Sequence, residues 1–424
     1  MEAVQTPTKL RWRLLAVIYF VSLIAYLDRV NLSICAPFIM EELGFDRVSL
    51  GYTMSAFFVG YTIMQIPGSM LAERLGARIV GAMAIFLWSV FTILTPLAWG
   101  FASFMIIRAL FGIGEGPLFP SIARILSRWF SDKEKAVANS FMLMGVFLAP
   151  AIGPWIVVQI VSNLGWHWAF YSFGILGIFG AVAWYMLCLN TPADNPNVNA
   201  GEHAAINEGR SDKLIEQLSK KEQAPWGTLF KSSQFWAIGI QYSVANYIMY
   251  LFLSWIPLYL MEARGMSFQK MGIMAALPWL VLTLASFLGG IASDKLVARG
   301  LSKFKSRAMF AIVGFAICML GLYMGANAES QVSNLLWLSI SLGALGGAYI
   351  AGWTGCHDIG QRFGGAVSAW MNTWGNLSGA AAPVITAYLV EAFGWQGALT
   401  STSGFIVIGC ICWLFVRPDK PVIK

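Results

Sequence analysis

The chain has 424 residues, of which 58% are hydrophobic and 12% are charged, and this balance excludes an ordinary soluble globular domain. The formal net charge of +7 does not indicate a nucleic-acid partner, because the basic residues lie between apolar segments along the whole chain. The composition therefore predicts an integral membrane protein.

Apolar segments of about 20 residues, the length that a helix needs to cross a hydrocarbon core of about 30 Å, recur along the sequence. They predict an all-α membrane protein with twelve transmembrane helices. The predicted spans are 14–38, 49–71, 78–98, 101–123, 138–161, 166–189, 234–260, 272–292, 308–327, 333–356, 364–390 and 396–416.

The basic residues predict the topology of these spans. Most of the 28 lysines and arginines fall in the terminal tails and the even-numbered loops, so the positive-inside rule predicts that both termini are cytoplasmic. The first span is too long for a signal peptide and is interrupted by Asp28, so we expect it to be retained. The short loops and compact length favour a multi-pass protein of the bacterial inner membrane.

One long polar segment divides the spans into six and six. We predict a cytoplasmic linker at 190–233, six-helix bundles at 14–189 and 234–416, and cytoplasmic tails at 1–13 and 417–424. Similar signals recur in both halves, such as Gly165-Trp166 and Gly394-Trp395, which indicates two parallel six-helix repeats.

A loop motif with charged residues also recurs in both halves of the sequence. "GSMLAERLGAR" follows the second span and "GGIASDKLVARG" the eighth, each with a glycine for close helix approach and then an acid followed by a base. We interpret the motif as a cytoplasmic latch, although the basic residues could also serve only the positive-inside bias. The predicted latch residues are Gly68, Glu73, Arg74, Arg78, Gly289, Asp294 and Lys295.

Four charged residues lie inside predicted spans, where such groups usually face a protein interior or a watery cavity. Asp28 and Arg29 are neighbours in the first span and diverge by about 100°, whereas Arg108 and Glu115 lie two turns apart on one face of the fourth. We expect Asp28 to pair with Arg108, which leaves Arg29 for a substrate carboxylate because its planar guanidinium suits that role. The alternative is an ion-pair network that only fixes helix packing.

Uncharged polar and aromatic residues would complete a binding site for a hydroxylated anion. Asn372 and Asn376 are four residues apart on one helical face and could bond sugar hydroxyls. Packing or lipid contact is the alternative for each aromatic residue. The predicted substrate-binding set is Arg29 with Tyr26, Tyr61, Gln65, Asn246, Tyr247, Trp353, Asn372 and Asn376.

Four stretches carry a family resemblance: "YLDRVNLSICAPFI", "SAFFVGYTIMQIPGSMLAERLGAR", "RALFGIGEGPLFPSIARILSRWF" and "WMNTWGNLSGAAAPVI". The chain resembles the anion:cation symporter branch of the major facilitator superfamily, which includes bacterial galactonate, glucarate and hexuronate permeases and is related to sialin and the vesicular glutamate transporters. The resemblance implies proton-coupled transport of an organic anion. It further implies protonation at Asp28 and Glu115, anion binding at Arg29 and a switching role for Arg108.

We therefore predict a secondary active transporter, not an enzyme, that takes up a sugar acid with protons by alternating access. Its partners would be the small organic anion, protons and the lipid bilayer, with no nucleic acid, obligate protein partner, metal or cofactor. The alternatives are uptake of another carboxylate, either a dicarboxylate or an aromatic acid, a proton-antiport exporter, and a non-transporting membrane receptor.

Overall fold

A computed structural model describes residues 6–131, 134–208 and 224–422 and confirms the predicted all-α architecture. We number the membrane helices α1 to α12. Their bounds are α1 Leu10–Leu43, α2 Arg47–Leu75, α3 Ala77–Leu94, α4 Phe101–Glu115 continued by Leu118–Trp129, α5 Lys135–Leu164, α6 Trp166–Leu187, α7 Ser233–Glu262, α8 Phe268–Met274 with Ala276–Ala298, α9 Lys303–Asn327 and α10 Gln331–Gly360.

The last two membrane helices form one continuous assignment, Gly364–Phe405, followed by Val407–Phe415. Gly394 interrupts this assignment with a positive φ of 66°, so α11 covers 364–393 and α12 begins at 395. Ten helices among the described residues are long and apolar enough to span a membrane. This count takes 364–415 as one helix and does not include α2. With α2 and the division at Gly394, each predicted span corresponds to a helix.

Several helices extend beyond their predicted spans. The apolar segment 14–38 lies within a helix of 34 residues, Leu10–Leu43, because hydrophobicity marks only the part that would lie in hydrocarbon. Glycines with positive φ then end the first two helices, Gly44 at 65° and Gly76 at 89°.

The chain divides into two compact units that do not follow the boundary between the predicted bundles. The first unit comprises the described residues of Met1–Arg29, Val59–Ala149 and Leu164–Gln223. The second comprises those of Val30–Phe58, Pro150–Asn163 and Ala224–Lys424. The division passes through α1, α2 and α5, so parts of three helices from the first half of the sequence pack with the second half.

Close packing of α2 on α4 shapes the first unit. A Cβ atom at Gly60 would lie 2.1 Å from the carbonyl oxygen of Ala109, and one at Gly116 would lie 3.0 Å from that of Tyr61. These distances leave no room for a side chain, so glycine lets the helices meet near the middle of α4. The same contact brings Tyr61 towards Glu115.

In the second unit, α2 meets α7, α11 and α12 along what we call the polar seam, formed by Arg47, Tyr52, Glu262, Tyr388 and Trp395. Arg47 Nη2 lies 2.9 Å from Glu262 Oε2, which also accepts a hydrogen bond from Trp395 Nε1 at 2.9 Å. The hydroxyls of Tyr52 and Tyr388 lie 3.3 Å apart. The predicted topology places this seam on the extracytoplasmic side.

Candidate functional site

The four intramembrane charges lie in the first unit and are almost completely buried. Asp28 and Arg29 are 2% and 8% exposed on α1, and Arg108 and Glu115 are 3% and 0% exposed on α4. Taking charges out of water costs several kcal/mol for each ion unless partners compensate. The side chains around each charge therefore decide what the site can do.

Arg29 and Glu115 form a buried ion pair. Arg29 donates from both Nε and Nη2 to Glu115 Oε1, the first bond at 3.1 Å. The guanidinium carbon also lies 4.5 Å from the ring centre of Tyr26 and 5.1 Å from that of Tyr61, so two aromatic rings hold the cation. Glu115 Oε2 accepts no hydrogen bond from the described residues. This oxygen is a natural place for a proton.

This geometry corrects one part of the expected pairing: Arg29 is not left for substrate, because Glu115 already holds it. Asp28 and Arg108 do interact through their charges, and the charge of Glu115 also acts on Asp28. Arg29 pairs with Glu115 because the two side chains lie at the same level. The spacing of the charges along the sequence does not show which residue of α4 lies level with Arg29.

The sequence reasoning missed two residues of α3 beside Asp28. Trp88 and Thr92 are 0% and 2% exposed, and both act on the Asp28 carboxylate. The Trp88 indole and the Thr92 hydroxyl are hydrogen-bond donors that lie beside the buried Asp28 carboxylate. Trp88 and Thr92 are uncharged residues in an apolar span, so nothing in the sequence marked them as neighbours of Asp28.

The other predicted residues of the first unit are partly engaged in packing. The Tyr26 ring meets the Phe119 ring edge-on, with centres 6.4 Å apart. Gln65 is half-buried on α2, one turn beyond the buried Tyr61. Tyr26 and Tyr61 therefore contribute directly to the Arg29 site.

In the second unit, the two predicted residues of α7 face different neighbours. Asn246 is buried and donates to the carbonyl of Tyr242 at 2.9 Å. The Tyr247 hydroxyl instead lies 3.1 Å from that of Thr386, and Tyr247 lines a cavity of about 350 Å³ bounded by α7, α11 and α12. Adjacent residues on a helix diverge by about 100°, which explains why these two face different neighbours.

Tyr242 is a further residue that the sequence reasoning missed. A Cβ atom at Gly375 would lie 2.7 Å from the Tyr242 ring and 3.0 Å from Asn246 Nδ2, so α7 and α11 cross here. The Trp353 ring, 41% exposed, meets the Tyr242 ring edge-on with centres 6.0 Å apart. Next to this crossing, α11 carries the buried Asn376 and the half-buried Asn372 of the predicted pair.

The predicted latch is only partly recognisable. A Cβ atom at Gly68 would lie 2.8 Å from the Cα atom of Pro117, so the helices approach closely at this glycine. Glu73 and Arg74 are exposed and make no ion pair with a described residue. Arg78 donates to the carbonyl of Tyr185 at 2.7 Å.

In the second copy of the motif, a Cβ at Gly289 would lie 3.9 Å from Gly347 Cα, and Lys295 is exposed. The side chain of Asp294 lies outside the described residues. Among the described side chains at this end of the second unit, Asp358 forms ion pairs, with Oδ1 2.9 Å from Lys303 Nζ and Oδ2 3.6 Å from Arg307 Nε.

Comparisons with known proteins agree with the fold and with the resemblance. The family model described as "Major Facilitator Superfamily" matches residues 18–383. A "Probable galactarate/D-glucarate transporter GudP" of Bacillus subtilis is 32% identical over 98% of this chain and 94% of its own length. A "D-galactonate transporter" of Escherichia coli O6:H1 is 30% identical over 97% of both chains.

A solved structure supports the architecture independently. It is described as a bacterial homologue of the human lysosomal transporter Spinster in an inward-facing, unoccupied conformation, with a TM-score of 0.77, 17% sequence identity, and 97% of this chain and 98% of that chain covered. The chain therefore belongs to the Major Facilitator Superfamily of multi-pass membrane transporters.

Proposed function

We propose that the protein takes up a sugar acid, such as galactonate, glucarate or a hexuronate, together with protons. The observation that carries this proposal is the buried Arg29–Glu115 pair, in which a permanently charged anion-binding group is held by an acid that a proton can neutralise. The names of the relatives from Bacillus subtilis and Escherichia coli support the substrate class.

The proton and the anion compete for Arg29 in this mechanism. When Glu115 is ionised, it neutralises Arg29 and occupies its donors. When a proton binds Glu115, the acid loses its charge and the guanidinium can donate to a substrate carboxylate instead. The pair carries no net charge when empty, and it again carries none with one proton and one monoanion bound. Both forms could therefore reorient without moving an uncompensated charge through the membrane.

Asp28 and Arg108 would extend the same principle to a second proton. Asp28 is 2% exposed, and Arg108 interacts with it through its charge. A dianion such as glucarate brings one more negative charge than galactonate, and protonation of Asp28 would compensate it. This second acid–base pair keeps a dicarboxylate among the candidate substrates.

The proposed location is the bacterial inner membrane with both termini in the cytoplasm. The basic residues of the tails and even-numbered loops support this orientation. The compact loops and the bacterial relatives support the location.

Uptake by purified protein in proteoliposomes tests the proposal. With an acidic exterior, labelled galactonate or glucarate should accumulate above its external concentration, and a protonophore should abolish the accumulation. An aromatic acid such as benzoate tests the alternative carboxylate class, and protein-free liposomes are the control. Accumulation that ignores the proton gradient would refute proton coupling, and transport of benzoate without sugar acids would refute the substrate class.

A further inference from the structure

A positively charged cavity lies in the first unit, away from the Arg29 site. Its volume is about 340 Å³. It lies where α1 and α3 begin and where α4 and α6 end, next to the start of the linker. Its lining residues include Arg13, Arg78, Trp129, Leu187 and Asn195. The predicted topology places these helix ends at the cytoplasmic surface of the membrane.

The two arginines of this cavity differ in how they are held. Arg78 is half-buried, and its Nε donates to the carbonyl of Tyr185 while its guanidinium carbon lies 4.3 Å from the centre of the Tyr185 ring. Arg13 is exposed and makes no ion pair or hydrogen bond with a described residue. No acid is among the lining residues, so the positive charge of the cavity is not neutralised from within.

The rest of the lining is largely apolar. Leu10, Leu14, Met186, Leu187 and Leu189 contribute aliphatic surface, and Met186 and Leu187 are 65% and 47% exposed. Trp129 adds a ring that is held in place because its Nε1 donates to the carbonyl of Leu189 at 2.8 Å. The cavity thus combines two guanidinium groups with apolar walls at the edge of the bilayer.

From this combination we infer that the cavity binds the headgroup of an anionic phospholipid from the cytoplasmic leaflet. The phosphodiester would accept hydrogen bonds from Arg13 and Arg78, since guanidinium groups bind phosphate oxygens well. The glycerol and the first acyl carbons would lie against Leu187 and Met186. Basic pockets between transmembrane helices on the cytoplasmic side are suited to such headgroups. A free phosphate would use the arginines but not the apolar walls.

Native mass spectrometry of the detergent-solubilised protein tests this assignment. Dioctanoyl phosphatidylglycerol should bind saturably and more tightly than dioctanoyl phosphatidylcholine. Arg13→Gln and Arg78→Gln should each weaken phosphatidylglycerol binding about five-fold, the effect expected for one basic residue at a membrane surface. Arg299→Gln, which removes an exposed arginine from the second unit, is the matched control and should leave binding unchanged.

Arg13→Gln is the decisive variant, because Arg13 contacts no described side chain through its charge and its replacement should not disturb folding. Equal binding of phosphatidylcholine, or unchanged phosphatidylglycerol binding by Arg13→Gln, would overturn the assignment. Complete competition by millimolar inorganic phosphate would also overturn it, since the site would then be one for soluble anions.

Discussion

The Arg29–Glu115 pair of the first unit and the Arg47–Glu262 pair of the polar seam have the same chemistry in different surroundings. The side chains of the first pair are 5% and 0% exposed, and those of the second are 36% and 28% exposed. Water screens the exposed pair, so it contributes little free energy, whereas breaking the buried pair leaves an uncompensated charge. Burial, more than the ion pair itself, therefore distinguishes Arg29 and Glu115 and supports the proposed coupling of a proton to an anion.

A third cluster of charges, formed by Arg11, Glu134 and Glu202, combines buried and partly exposed side chains. Glu202 of the short linker helix Ala200–Asn207 is 0% exposed and accepts hydrogen bonds from the backbone N–H groups of Leu10 and Arg11, each at 3.0 Å, and from Thr8. Arg11 also pairs with Glu202 at 3.2 Å and with Glu134 at 3.0 Å. Glu202 thus caps the start of α1 from a distant part of the sequence.

Replacing Arg29 should give the largest effect. Arg29→Lys keeps the charge but loses the planar fork that lies between Tyr26 and Tyr61 and binds Glu115, so we expect sugar-acid uptake to fall about 100-fold or more. Initial uptake rates in proteoliposomes measure the change. Arg47→Lys, the same substitution in the exposed pair, is the control and should remain within about five-fold of the native rate. Similar losses in both variants would contradict the comparison.

Glu202→Gln should have an intermediate effect, on stability. Burial acts to raise the pKa of Glu202, but the hydrogen bonds from Arg11, Thr8 and Leu10 and the charge of Arg11 outweigh it, so the pKa is lowered. The ionised carboxylate therefore stabilises the folded state at neutral pH, and this contribution is lost as the pH falls through the lowered pKa. We expect Glu202→Gln to cost about 1 to 3 kcal/mol at pH 7.

Thermal unfolding measured from pH 7 down to about pH 3, well below the ordinary pKa of a glutamate, checks this effect. The difference in melting temperature between the native protein and Glu202→Gln should shrink with acidification. Glu41→Gln, at an exposed acid, should change little at any pH. A difference that grows as the pH falls would have the wrong sign.

Arg47→Gln should have the smallest effect. A partly exposed pair is worth about 0.2 to 1 kcal/mol, so uptake should stay within about five-fold of the native rate. A double-mutant cycle with Glu262→Gln measures the coupling directly. A coupling energy above about 2 kcal/mol would show that exposure does not distinguish the seam from the buried pair.

Much of the fold was predictable, because apolar spans and charged loops are direct consequences of the bilayer. The four buried charges were also predictable, since any ionisable residue inside a span is conspicuous. Their pairing was not, because spacing along α4 places Arg108 and Glu115 on one face but does not say which of them lies level with Arg29. Trp88, Thr92 and Tyr242 were missed because uncharged residues in apolar helices are common.

The Glu202 cap was not predictable for a different reason. It joins the linker to the start of α1 across 191 residues of sequence, and a mixed-charge linker helix is usually solvated. The two compact units likewise depend on contacts between distant parts of the sequence, which hydrophobic patterning does not encode.

The central claim is that protonation of Glu115 releases Arg29 for the anion, and Glu115→Gln tests it most directly. The variant mimics the protonated acid, so proteoliposomes that contain it should still exchange internal for external sugar acid in counterflow. They should no longer accumulate the sugar acid in response to an inward proton gradient. If Glu115→Gln still concentrates its substrate against a gradient, Glu115 does not carry the coupling proton and the account is wrong.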